Sequence, residues 1–108
     1  MAENLKGQIA LVTGANRGIG RQISCDLAAA GATVVLSARV ESSLKVVAEE
    51  IEKAGGNCEC VSLDVMREDL VGSVVNDIVS RHGRIDLLVN NAGIGAGSKY
   101  PWDLPVDD

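Results

Sequence analysis

Three glycines fall within the seven residues 14–20, in the run Thr13-Gly14-Ala15-Asn16-Arg17-Gly18-Ile19-Gly20. The run follows an apolar stretch, Ile9-Ala10-Leu11-Val12, and leads into Ile19, Ile23 and Leu27, spaced four apart as on a helix face. Glycines let a backbone approach a diphosphate closely, and the free N–H groups at a helix start complement its charge. A glycine-rich turn also serves plain strand–helix packing, but this one sits between a strand and a helix, where phosphate binding is expected. Its spacing is G-x-x-x-G-x-G, neither G-x-G-x-x-G nor G-x-x-x-x-G-K-[ST]. Two further segments could act with it. Asp64, in Leu63-Asp64-Val65, could accept a hydrogen bond from an exocyclic amine, or cap a helix or stand as a loop carboxylate. Asn90-Asn91-Ala92-Gly93 offers small residues against which a ligand can lie, and amides able to bridge neighbouring strand ends.

The elements that must position these segments alternate along the chain. Ile9–Val12, Thr33–Leu36 and Leu87–Val89 are short continuous apolar runs of the kind buried in parallel sheet. Cys58–Leu63 is a weaker run, broken by Glu59 and Ser62, and should lie at a sheet edge. Between the runs come three helical patterns. The first carries Ile19, Ile23 and Leu27 and stops at Gly31; the second carries Leu44, Val47, Ala48 and Ile51 and closes at Gly55-Gly56. The third turns Leu70, Val71, Val74, Val75, Ile78 and Val79 inward and ends at Gly83, with Arg81 and His82 in its last turn, suited to the negative end of a helix dipole. The pattern β-α-β-α-β-α-β predicts an α/β fold. Right-handed crossovers then give the strand order 3-2-1-4, two helices on one face and the third on the other. Ligands of such sheets bind at the switch point, outside the carboxyl ends of the strands. The chemistry is expected after Val12, Leu36, Leu63 and Val89.

Composition narrows the classes. The 108 residues, 46% of them hydrophobic, make one domain with a core burying roughly 65% of the unfolded surface. Fifteen acidic against ten basic residues give a net charge of −5, which argues against a nucleic-acid partner. The longest apolar stretch, Leu27 to Leu36, is too short for a bilayer, and the first residues show neither a basic segment nor an apolar core of a secretory signal. A cytoplasmic protein is the expectation, with peroxisomal or other organellar placement compatible. Cys25, Cys58 and Cys60 read as free, partly buried thiols rather than a zinc or disulfide framework. There is no Phe, and the single Tyr and Trp lie beyond residue 99, so the core must be aliphatic.

TGANRGIG, an Asp after the third strand and NNAG after the fourth, in this order and spacing, resemble the short-chain dehydrogenase/reductase family over essentially the whole chain, fading beyond Gly97. The resemblance implies a Rossmann-type fold and a nicotinamide dinucleotide cofactor. Carried over by position, the implied contacts are Gly14, Asn16, Arg17, Gly18, Ile19 and Gly20 in the turn, Asp64 and Val65 at the adenine, and Asn90, Ala92 and Gly93 on the nucleoside side. Members that use NAD usually carry an acidic residue at the end of the second strand, where it binds the ribose 2′-OH and repels a 2′-phosphate. This chain has Leu36-Ser37-Ala38-Arg39 there. Arg39, with Arg17 as a second cation, favours NADP over NAD; the alternative is two solvated loop arginines.

The family's chemistry belongs to a Ser, a Tyr-x-x-x-Lys pair and an Asn, all downstream of NNAG. Here Tyr100 precedes Pro101, and four residues on stands Leu104, so no catalytic residue is assigned. A sheet truncated before a fifth strand is expected, with an aliphatic edge prone to self-association. Three readings follow: the cofactor half of an NADP(H)-dependent carbonyl/alcohol oxidoreductase, a non-catalytic dinucleotide-binding or subunit-interaction module, and a non-functional truncated product.

Overall fold

The two runs richest in buried aliphatics become the two inner strands. In the computed structural model, which describes residues 4–91, β1 (Ile9–Thr13) is buried along its whole length and β2 (Thr33–Ala38) from Val34 onward. A strand covered on both faces needs apolar side chains at successive positions, which is why these runs do not alternate. β3 (Asn57–Ser62) pairs with β2, and β4 (Leu87–Asn90) with β1, all parallel, giving the order β3-β2-β1-β4. The interrupted Cys58–Ser62 segment lies at an edge, as its pattern predicts. Helices α1 (Gly18–Ala29), α2 (Lys45–Lys53) and α3 (Glu68–His82) fill the crossovers, with a short 3₁₀ turn at Glu41–Leu44 before α2.

The sheet separates two apolar layers. On one face Val12, Val34 and Leu36 pack with Ala28 of α1 and with Leu44, Val47 and Ile51 at α2; on the other, Ile9, Leu11 and Val35 pack with Ile78 of α3. Two helical faces differ from expectation. The deepest positions of α1 are Gly20, Ser24 and Ala28, one residue on from Ile19, Ile23 and Leu27, and Ile19 is 46% exposed. Small side chains let this helix sit close on the sheet, whereas isoleucines would hold it off. On α3 only Val74, Val75 and Ile78 reach the core; Leu70 and Val79 stay exposed and Val71 half-buried. Leu88 on the edge strand β4 is also 62% exposed.

A charged cluster fastens α3 to the edge strand. Glu59 on β3 accepts from Arg81 at 2.7 Å and lies 2.9 Å from His82 Nε2, while Arg81 Nε donates to Asp77 at 2.9 Å. The last-turn basic residues thus bind a strand carboxylate as well as suiting the helix dipole. The Arg81 guanidinium, opposed by partial burial and aided by His82, holds the Glu59 carboxyl below its ordinary value of 4.5. A carboxyl depressed by folding stabilises above its unfolded pKa, and that contribution disappears as pH falls through the folded pKa. Glu59→Gln is therefore expected to lower the melting temperature at pH 7 and to flatten its decline below about pH 4.5. Melting curves from pH 3 to 7 check this; parallel acid limbs would refute the role of Glu59.

Candidate functional site

The carboxyl ends of the strands open onto one groove of about 500 Å³, a size typical of small-molecule sites. Gly14, Asn16, Arg17 and Ile19 line it from the turn after β1 and the start of α1. Ala38, Arg39, Val40 and Ser43 line it beyond β2, Leu63, Asp64, Val65 and Met66 beyond β3, and Asn91 beyond β4.

The glycines of the first turn have distinct duties. Gly14 and Gly18 adopt φ of +62° and +59°, a region that side-chain-bearing residues avoid. Gly20 has ordinary helical geometry but no room: a Cβ there would lie 2.2 Å from the Gly14 carbonyl oxygen and 2.7 Å from Asn91 Nδ2. Ala15 N–H donates to Ser37 O at 3.0 Å, tying the turn to β2. Arg17, extended at φ −163°, precedes α1, and no side chain caps that end. The first N–H groups of α1 therefore lack an intrahelical or capping acceptor and can meet an anion.

Hydrogen bonds brace the other strand ends. Asn91 Nδ2 donates to Gly14 O at 3.2 Å, bridging the ends of β4 and β1. Thr13 Oγ1 donates to Asn90 Oδ1 at 3.1 Å and accepts from Asn91 N–H at 2.9 Å. Ser62 Oγ donates to Arg39 O at 2.9 Å, and Leu63 N–H to Ala38 O at 2.9 Å, which fixes the backbone from which Arg39 projects. Asp64 Oδ1 accepts from Met66 N–H at 3.0 Å, and Asp64 O from Arg67 N–H at 2.9 Å. One Asp64 oxygen thus holds the turn, and the carboxylate still borders the groove.

Of the residues singled out from sequence, Gly14, Asn16, Arg17, Ile19, Arg39, Asp64 and Val65 come together in the groove wall. Gly18 and Gly20 shape the turn behind it. Asn90 ends β4 with its side chain on Thr13, and Ala92 and Gly93 lie outside the described residues. The strand-end bridge expected of an amide in this segment is made by Asn91, whereas sequence reasoning passed over Ala38, Val40, Ser43, Leu63 and Met66 as lining residues. Asn91 was visible as the second residue of NNAG; an exposed Met beside Asp64 carries no spacing signal. Among the described residues no group of His, Cys, Asp and Glu could hold a metal ion, and no helix is long and apolar enough to cross a membrane.

Comparison with known proteins agrees with this architecture. The family model for short chain dehydrogenases matches residues 8–104. The human dehydrogenase/reductase SDR family member 1 is 45% identical over 98% of this chain and 36% of its own length. The short-chain dehydrogenase/reductase homolog YusS of Bacillus subtilis is 39% identical over 97% of this chain and 92% of its own length. A crystal structure of a metagenomic short-chain oxidoreductase in complex with NADP superimposes with a TM-score of 0.82 at 42% identity, over 91% of this chain and 47% of that one. The chain therefore spans less than half of the human relative and of the solved oxidoreductase. With the motif order, the strand order 3-2-1-4 and these matches in agreement, the chain belongs to the short-chain dehydrogenase/reductase family.

Proposed function

We infer that this chain supplies the dinucleotide-binding part of an NADP(H)-dependent oxidoreductase that interconverts carbonyls and alcohols by hydride transfer. The observation that carries the reading is the groove itself, which gathers Gly14, Asn16, Arg17, Arg39 and Asp64 from three strand ends and has Arg39 where an acid would select NAD. The groove is large enough for a nucleotide, and the close Gly14–Gly20 approach leaves the uncapped helix start open to a pyrophosphate. In this reading Arg39 and Arg17 hold the 2′-phosphate, Asp64 accepts from the adenine amine, and Asn91 keeps the glycine turn against β4. The cofactor, when bound, supplies the hydride. The chain's own residues bind and orient it. The NADP complex of the metagenomic relative supports the same choice of dinucleotide.

A second reading, a dinucleotide-binding module without turnover, is favoured by Tyr100, which has Leu104 rather than a lysine four residues on.

NADPH is expected to bind more tightly than NADH by about 1–3 kcal/mol, the scale of charge-assisted hydrogen bonds. Arg39→Asp should erase or reverse the preference by removing a cation and adding repulsion. Fluorescence titration with both dinucleotides checks this. Equal affinities in the unmodified protein would sink the role of Arg39.

A further inference from the structure

Met66 is a large apolar side chain left 82% exposed, and it stands on the wall of the groove. Its backbone N–H is bound to Asp64 Oδ1, so its position is coupled to the carboxylate that faces the adenine in the reading above. Val40 and Ile19, 63% and 46% exposed, line the same groove. An exposed thioether needs no deprotonation to be oxidised, whereas a cysteine reacts as its thiolate. The three thiols are all partly buried, and burial pushes Cys25 and Cys60 up and Cys58 up to about 11. Met66 is thus an accessible sulfur on the groove wall whose reaction with peroxide does not depend on ionisation.

We propose that Met66 is a reversible oxidation site at which peroxide lowers the affinity of the groove for its dinucleotide. The proposal rests on the dinucleotide reading and adds regulation to the same site. In the step, the Met66 sulfur attacks one peroxide oxygen; an S–O bond forms and the O–O bond breaks. Sulfur is oxidised by two electrons, peroxide is reduced, and the proton of the transferred oxygen passes to the departing hydroxide, giving sulfoxide and water. The sulfoxide places a strong dipole where an apolar side chain would cover a purine face, and it is returned to thioether by methionine sulfoxide reductase chemistry. A bound dinucleotide, by covering Met66, protects it.

The test treats the protein with hydrogen peroxide, with and without saturating NADPH, maps oxygen uptake by peptide mass spectrometry and titrates NADPH before and after. Met66 should gain one oxygen, more slowly with NADPH present. The NADPH Kd should then rise roughly 3- to 10-fold, as expected for losing part of one side chain's apolar burial, and recover after reductase treatment. Met66→Leu should show the same Kd before and after peroxide, whatever its starting affinity. Complete Met66 sulfoxide with an unchanged Kd would overturn the proposal, as would equal oxidation rates with and without NADPH. So would a Met66→Leu protein that still loses affinity, since the cysteines would then carry the effect. Failure of untreated protein to bind NADPH is a separate outcome: it refutes the dinucleotide reading, and the oxidation proposal with it.

Discussion

Gly20→Ala is expected to unfold at a markedly lower temperature than the unmodified chain and to lose dinucleotide binding. One methyl group suffices, because two of its three nearest neighbours, the oxygen at 2.2 Å and the carbon at 2.9 Å, are the Gly14 carbonyl. That carbonyl also accepts from Asn91 Nδ2, so yielding would break the bridge between β4 and β1. The alternative is for α1 to lift off the sheet, which would separate Ala28 from Val34 and Leu36 and disturb the turn that presents the free N–H groups. Overpacking of this kind costs about 1–3 kcal/mol and sometimes more, so the melting temperature of a chain this size should fall by at least ~5 °C. Gly72→Ala is the control. It lies in the interior of α3 with nothing within 4 Å of its added Cβ, and alanine there should be neutral or stabilising by up to ~1 kcal/mol. Circular dichroism melts and NADPH titrations on both variants decide the matter. A Gly20→Ala protein with unchanged melting and affinity would show that the turn and helix are not in this close contact.

The 108-residue chain assayed alone is expected to give no carbonyl reduction or alcohol oxidation with NADPH or NADP⁺. Hydride delivery to a carbonyl needs a proton donor beside the developing alkoxide, and the family's donor is a tyrosine whose phenol is tuned by a lysine four residues on. Tyr100 is followed by Pro101 and has Leu104 at that spacing. Asp64 holds the turn beyond β3, and His82 is bound to Glu59 at the end of α3. Loss of such a donor typically costs about 10²–10⁴ in rate, and missing substrate walls add the loss of positioning. A panel of ketones, quinones and alcohols, run beside the NADPH titration, is the measurement. Steady turnover that survives purification and falls in Tyr100→Phe would place catalysis within this chain.

Strand order and the location of the groove were legible because continuous apolar runs and glycine stops mark parallel strands and their crossovers. The edge position of β3 could be read from Glu59 and Ser62 alone. What spacing could not reveal was depth. Ile19, Ile23 and Leu27 and the buried set Gly20, Ser24 and Ala28 occupy adjacent stripes of one helix, and the stripe that wins depends on how near the helix must come to Gly14. Likewise Leu70 and Val79 share a helical pattern with Ile78, yet only Ile78 is fully buried against the sheet. Pairing of Glu59 with Arg81 and His82 joins residues more than twenty positions apart and has no local signature. At the site, the glycines, Asp64 and Arg39 could be read because their residue types are chemically particular. Val40, Ser43 and Met66 reach the groove only through the path of the loops.

The unequal layers on the two sides of the sheet give the molecule two different kinds of cohesion. Among the described residues, ten buried side chains form the layer on the face of α1 and α2, against four on the face of α3. The C-terminal end of α3 is tied in addition to Glu59 of β3 through Arg81 and His82. Apolar cohesion is indifferent to salt screening and proton uptake, and ionic cohesion is sensitive to both. Acid or high salt therefore weakens the tie between the C-terminal end of α3 and β3, while the apolar seat of α3 at Ile78 and the layer under α1 do not depend on either.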